Sequence, residues 1–221
     1  MKTLMLGNEA AARGLYEAGC AMVSSYPGTP STEITEFAAK YEEIYAEWAP
    51  NEKVALEVAL GASFGGGRAL AAMKHVGVNV AADPLFTASY TGVGGGLVLV
   101  AADDPGMHSS QNEQDTRHYG RAAKVPVLEP ADSAEAHAFT KLAFQLSEDF
   151  DTPVILRLTT RIAHSRSLVD CEPREQRPLK QYQKNIAKYV MMPGNAIRRH
   201  PVVEERARKL REWAETASIN R

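Results

Sequence analysis

The sequence is poor in cysteine: only Cys20 and Cys171 occur in 221 residues. Two thiols cannot build a disulfide framework, and they are too few for a cysteine-rich metal site. Long apolar runs are missing too, since no stretch approaches the roughly 20 residues needed to cross a bilayer. The opening Met1-Lys2-Thr3-Leu4-Met5-Leu6-Gly7 turns polar too soon for a secretory signal. Excess charge is also absent: 25 Lys and Arg face 27 Asp and Glu, for a net charge of -2. That balance gives no electrostatic reason to bind nucleic acid or an acidic membrane. His75, His108 and His164 stand singly, without the spacing of a metal site or the Ser/Asp company of a triad. A cytoplasmic protein with no metal or cluster of its own is the expectation.

What is present is an ordinary globular composition, 44% hydrophobic and 24% charged. The length suits one well-buried domain plus an extension. From the start to residue 164, helical patterns alternate with short apolar runs. Residues 8–19, 31–40 and 51–64 read as helices, as do stretches near 78–90, 111–121 and 133–149. Residues 21–25, 69–73, 97–101 and 153–158 read as buried strands, with shorter ones at 43–46 and 125–128. Such alternation predicts an α/β fold: an open, mostly parallel sheet with helices on both faces. Residues 1–164 are therefore expected to form the domain. Residues 165–221 read as an extension: a Pro-, Arg- and Gln-rich linker that wraps or docks, then a charged helix over 202–215 with apolar points at Val203, Leu210 and Trp213.

Two segments could carry chemistry. Tyr26-Pro27-Gly28-Thr29-Pro30-Ser31-Thr32-Glu33 follows a predicted strand and opens a helix. Ligands of open α/β sheets bind beyond the carboxyl ends of strands, where this loop would lie. Free N–H groups at the helix start suit an anion. A rigid turn whose Ser31 or Thr32 merely caps a helix fits the same residues. The second segment opens at Asn51-Glu52-Lys53 and runs on in small apolar residues. A first-turn Glu52 is favoured by the helix dipole at any surface helix. Buried among Ala and Val it could instead share a proton with a ligand.

The glycine groups argue against nucleotide phosphate. Gly92-Val93-Gly94-Gly95-Gly96 precedes a strand, whereas a dinucleotide fingerprint follows one. Asp103 to Arg117 is a long polar stretch at a strand's carboxyl end, suited to lining a ligand or to being plain surface loop.

Taken together, these segments resemble the thiamine-diphosphate-dependent 2-oxoacid:ferredoxin oxidoreductases. Glu52 with Gly61 nine residues later is similar to the helix of a pyrimidine-binding domain. Tyr26-Pro27-Gly28-Thr29-Pro30-Ser31 resembles that family's Tyr-Pro-x-Thr-Pro-Ser motif. Lys74-His75-Val76-Gly77-Val78-Asn79, Gln111-Asn112-Glu113-Gln114-Asp115, Arg157-Leu158-Thr159-Thr160-Arg161 and Lys188-Tyr189-Val190-Met191-Met192-Pro193 look like the indolepyruvate branch. The resemblance covers roughly residues 1–200 in family order.

The resemblance implies that Glu52 hydrogen-bonds the aminopyrimidine of thiamine diphosphate and favours the imino tautomer that takes the thiazolium proton. It implies substrate contacts at Thr29, Tyr26 and Arg117, and cofactor contacts at Gly28, Glu52 and Asn79. It further implies an aryl 2-oxoacid substrate, coenzyme A, ferredoxin, a smaller beta subunit and a homo-oligomer. Magnesium and 4Fe-4S clusters belong to the whole enzyme, yet this sequence has no Gly-Asp-Gly motif and no cysteine set to hold them. An N-terminal piece of a longer subunit is thus expected. The family's pyruvate enzymes also place an arginine for the substrate carboxylate where this sequence reads Asp103-Asp104. A non-catalytic assembly module and an unrelated anion-binding α/β domain are the competing readings.

Overall fold

The computed structural model describes residues 2–220. In chain order its elements are β1 (Lys2–Leu6), α1 (Gly7–Glu17), β2 (Met22–Ser25), α2 (Thr32–Ala38), β3 (Tyr45–Trp48) and α3 (Glu52–Phe64). Next come β4 (Ala69–Lys74), α4 (His75–Val80), α5 (Ala82–Thr91), β5 (Leu97–Asp103), α6 (Arg117–Ala123) and β6 (Val127–Leu128). The chain continues through α7 (Ser133–Phe150), β7 (Val154–Thr159), α8 (Thr160–His164), β8 (Arg166–Asp170), α9 (Ile186–Tyr189) and α10 (Pro193–Thr216).

The central strands are apolar at nearly every position because both their faces are covered. Side chains of a strand alternate between faces, so one run serves two cores. Leu70, Ala72, Val98, Val100, Val154 and Leu156 meet Ala11, Leu15, Phe139 and Phe144 of α1 and α7. Their neighbours Ala69, Ala71, Met73, Leu97, Leu99 and Ile155 meet Leu56, Ala59, Val78 and Leu85 of α3, α4 and α5. Each fully buried Leu, Val or Phe contributes about 1.5–3 kcal/mol by leaving water. The expected helices on both faces are present.

The main sheet has six strands in the order β3-β2-β4-β5-β7-β6. Every neighbouring pair in it is parallel. All six carboxyl ends therefore face one way. From β2 the chain steps outward to β3, then returns across β2 to β4, so the direction of winding reverses between β2 and β4. A crevice at such a reversal is where open α/β sheets hold ligands.

Several boundaries differ from the sequence expectation. The stretch near 78–90 is two helices, α4 and α5, with Pro84 in the first turn of the second, where its missing N–H costs nothing. The helix expected from 111 starts at Arg117, because the Asp103 and Asp104 carboxylates hold residues 109–116 in an irregular loop. Ser31 and Thr32 do not cap α2. Ser31 Oγ donates to Gly28 O and Thr32 Oγ accepts from Gly28 N, both at 2.9 Å, so both hydroxyls stitch the preceding loop. The edge strand expected at 43–46 lies at Tyr45–Trp48, set by pairing with β2.

The extension after 164 opens with a strand. β8 pairs antiparallel with β1, Lys2 opposite Asp170 and Leu6 opposite Arg166. Beyond it the chain is strapped down by buried ions. Glu17, with its side chain fully buried, accepts from Arg13 Nε at 2.7 Å, from Glu172 N at 2.7 Å and from Lys141 Nζ at 3.2 Å, and meets His137 Nε2 at 2.7 Å. Burial would raise the Glu17 pKa, but Arg13, the Glu172 N–H and His137 outweigh it and lower the value. The last helix begins at Pro193, not 202, since proline is at home in a first turn. It docks through Val203, Leu210 and Arg206, whose guanidinium donates to Asp151 O and Ser89 O at 2.9 and 2.6 Å. Trp213 packs, partly buried, against the core.

Candidate functional site

At the reversal point the loop after β2 meets the end of β4. Tyr26 N donates to Ala72 O, extending the ladder, and the chain then turns over Pro27-Gly28-Thr29. A Cβ at Gly28 would stand 3.4 Å from Lys74 Cβ, so a glycine lets the loop lie directly on Lys74. The Thr29–Pro30 peptide is cis, and Thr29 is an exposed corner of the turn. Below it, buried Asn8 of α1 donates to Pro30 O at 2.7 Å and to Glu33 Oε2 at 2.8 Å. Tyr26 is 38% exposed on the same rim.

Glu52 begins α3, one strand away, just after the carboxyl end of β3. Asn51 caps the helix by accepting from Val54 N at 3.0 Å, which leaves the Glu52 carboxylate unused in capping. The side chain instead lies across Gly77 of α4. A Cβ there would be 2.6 Å from Glu52 Cγ and 2.8 Å from Oε1. Glu52 is half-buried and makes no hydrogen bond or ion pair among the described residues. A carboxylate held by packing alone, with both oxygens open, can accept from or share a proton with a ligand. Gly61, nine residues on, would meet nothing within 4 Å if it carried a Cβ.

The other expected contacts are spread more widely. Asn79 is exposed at the end of α4 and accepts from Tyr119 Oη at 2.5 Å. Arg117 is held at the far side. Its guanidinium grips Asp115, with Nη2 2.8 Å from Oδ2, and lies 3.5 Å from Glu129, which follows edge strand β6. Both carboxylates also lie within 4 Å of Arg157 on β7, so the Arg117 guanidinium is held on the β7–β6 side of the sheet. No contact joins Arg117 to the Thr29 loop, because two carboxylates keep it on that side. Arg117 in turn, more than a small burial cost, holds the Asp115 carboxyl down at about 2.

Sequence reasoning passed over the residues that pin the 104–116 loop. Asp103, wholly buried, accepts from Arg157 Nε at 2.7 Å, from Thr116 N at 3.0 Å and from the Thr116 hydroxyl. Asp104 accepts from Ser110 Oγ at 2.6 Å, Ser109 N at 2.8 Å and Thr160 Oγ at 2.7 Å. Burial would raise the Asp104 pKa, yet these donors drive it far below the ordinary carboxylate range. The signal was available: two adjacent acids ending one apolar strand and an arginine inside another, β7, suggest a buried pair. Among the described residues no group of three or more His, Cys, Asp or Glu is placed to hold a metal ion. Among the described residues no helix is long and apolar enough to cross a membrane.

Comparison with known proteins shows the family of the chain. Residues 13–216 match the model of a family described as pyruvate flavodoxin/ferredoxin oxidoreductase, thiamine diphosphate-binding. The chain belongs to that family. It is 46% identical to the indolepyruvate oxidoreductase subunit IorA of Archaeoglobus fulgidus, over 99% of this chain and 37% of the relative. With the protein of that name from Thermococcus kodakarensis it shares 47% identity, over 99% of this chain and 35% of the relative. A 2-oxoglutarate synthase subunit KorA of A. fulgidus is 29% identical over 77% of this chain. A 2-oxoglutarate:ferredoxin oxidoreductase from Magnetococcus marinus, solved with 2-oxoglutarate, coenzyme A and succinyl-CoA, superposes with a TM-score of 0.78. That structure is 19% identical and matches 96% of this chain and 45% of its own, so it speaks to the fold. The chain spans a little over a third of the length of its IorA relatives.

Proposed function

We propose that this chain is the pyrimidine-binding part of an enzyme that oxidatively decarboxylates aryl 2-oxoacids such as indolepyruvate. The observation that carries the reading is Glu52: an unpartnered carboxylate at a helix start, laid over a glycine, beside the reversal point of a parallel sheet. Residues of this kind fit an aminopyrimidine, whose ring nitrogen would take or give the proton at the Glu52 carboxylate. Thiamine diphosphate, when bound, supplies the electron sink for losing carbon dioxide from a 2-oxoacid. Gly28 gives close backbone approach to the cofactor, Thr29 offers its hydroxyl to the substrate carboxylate, and Tyr26 walls the same rim. Asn79, two residues beyond Gly77, is proposed as an outer cofactor contact. Arg117 contacts substrate only if its ties to Asp115 and Glu129 are both released.

Ligands for magnesium, for the diphosphate and for 4Fe-4S clusters are proposed to come from the remainder of a longer subunit and its smaller beta partner. Coenzyme A would accept the acyl group and ferredoxin the electrons, in the cytoplasm. Residues 1–164 are the pyrimidine-binding unit and 165–221 the strap that leads onward. Trp48 at 46% and Val80 at 48% exposure flank Glu52 in the fold order, and a facing domain or second copy would cover them.

The test is the complete subunit with Glu52→Gln, and Glu57→Gln on the exposed side of α3 as control. Loss of a positioned proton-transfer group costs about 10² to 10⁴ in rate. Exchange of the thiazolium proton should fall by that factor in the first variant and stay near wild type in the second. Equal exchange in both would refute the role of Glu52.

A further inference from the structure

A 2-oxoacid brings a carboxylate to the site, and Thr29 offers it only a neutral hydroxyl. Most cations along the carboxyl edge of the sheet are already matched to acids. Arg157 sits 2.7 Å from Asp103, Arg117 2.8 Å from Asp115, and Lys53 2.8 Å from Asp83. Among those without a carboxylate partner in the described residues are Lys74, the last residue of β4, and Arg161 in α8.

Their places differ. Arg161 is exposed in α8, beyond the carboxyl end of β7, where it lines a hollow with Pro105, His108, Thr159 and Thr160. Lys74 is half-buried on the strand adjacent to β2, and its stem touches the Thr29 loop: Cβ and Cδ lie 3.4 and 3.8 Å from the Cβ position of Gly28. Its Nζ donates to Ser109 O at 2.6 Å. That carbonyl is neutral; it fixes where the ammonium sits and uses one of three N–H donors. The ammonium has no carboxylate partner among the described residues, so an anionic ligand at the loop would meet an unneutralised charge there.

We infer that Lys74 is the cation that binds the substrate carboxylate at the Thr29 loop. One oxygen takes an ammonium proton and the other remains for the Thr29 hydroxyl. An ammonium, being a point charge, contacts a carboxylate without claiming both oxygens as a guanidinium fork does. The 104–116 loop, carrying Ser109 and fastened through Asp104, becomes the device that aims the ammonium. The inference rests on the proposed reading that a 2-oxoacid occupies this loop.

The experiment uses the complete enzyme with its partner subunit and compares Lys74→Gln, Lys74→Arg and Arg161→Gln. It reads the KM for indolepyruvate and inhibition by indole-3-propionate against its uncharged amide. Gln can still donate to Ser109 O but carries no charge. A charge-assisted contact is worth about 10- to 100-fold. Lys74→Gln should weaken the substrate and the carboxylate inhibitor by that factor and leave the amide unaffected. Lys74→Arg should recover most of the loss, and Arg161→Gln should behave as wild type. Unchanged carboxylate binding in Lys74→Gln, or transfer of the loss to Arg161→Gln, overturns the assignment. So does a wild-type enzyme that does not prefer carboxylate to amide, a result that needs no folded variant. Failure of the cofactor reading shows separately, as thiazolium exchange in Glu52→Gln measured without substrate.

Discussion

Glu52 rests on Gly77: the room for its carboxyl arm is the room a side chain at Gly77 would fill, 2.6 Å from Cγ. The neighbour that must move on substitution is a flexible side chain, not backbone. Gly77→Ala therefore should not unfold the domain; an alanine inside a helix gains about 0.5–1 kcal/mol over glycine. The cost falls on placement. A misplacement of about 1 Å can cost 10²-fold, so thiazolium-proton exchange in the complete subunit should drop by roughly that factor while the melting temperature holds. A variant that exchanges at the wild-type rate would show that Glu52 works from another position.

The buried pair Asp103–Arg157 governs the 104–116 loop. Removing one partner of a buried pair typically costs 3–5 kcal/mol. Glu129, 3.3 Å from Arg157, remains to share the charge. Asp103→Asn should thus lose about 3 kcal/mol in urea unfolding. Asp115→Asn, on the outer side, should lose about 1 kcal/mol or less. Comparable losses for the two would mean that Asp103 is not the anchor.

Acid should loosen the strap before it unfolds the sheet. Glu148 is buried, which alone would raise its pKa, but Arg68 and Lys180 more than offset this and hold it at about 2, below the ordinary 4.5. A carboxyl lowered on folding stabilises fully above its unfolded pKa, and that stabilisation is lost as pH falls through the folded value. The window here is from about 4.5 down to about 2. Limited proteolysis across that range should cut residues 172–185 first, and Glu148→Gln should be cut at neutral pH with little further change in acid. Acid-independent cleavage of wild type would contradict it.

Burial pushes the Cys20 thiol up to about 12, more than Arg174 and Arg68 lower it. Thiolate is the reacting species. At pH 8 an alkylating reagent should leave Cys20 unmodified in the native protein and label it after denaturation. Rapid native labelling, located by mass spectrometry, would show that the segment opens.

The parallel sheet was legible in the sequence because its strands are buried on both faces, and runs such as Leu97-Val98-Leu99-Val100 have few other uses. Glu52 and the Thr29 loop stood out through motif order, although neither patterning nor propensity distinguishes a proton-transferring first-turn glutamate from one that merely suits the helix dipole. Strands β1 and β8 were not legible. Lys2–Leu6 and Arg166–Asp170 are short and largely exposed, and each is a strand only because the other is there. The late start assigned to α10 came from reading Pro201 as a boundary, whereas packing of Val203, Arg206 and Leu210 carries the helix through it. Arg117 ended a polar stretch, but sequence order could not show that Asp115 and Glu129 would hold it on the β7–β6 side of the sheet.

The pairing of β1 with β8 also sets a timetable. The first strand emerges from the ribosome long before its partner: with synthesis at about 5–20 residues per second, Leu6 precedes Arg166 by about 8–32 s. During that interval Gly7, which donates to Ser165 O in the finished fold, has nothing to bind, and the start of α1 is unmoored. Asn8, which holds the Pro30 carbonyl, sits on that same loose end. The full set of contacts that anchors the start of α1, and through Asn8 the Pro30 end of the Thr29 loop, is therefore complete only once Ser165 and β8 have been made.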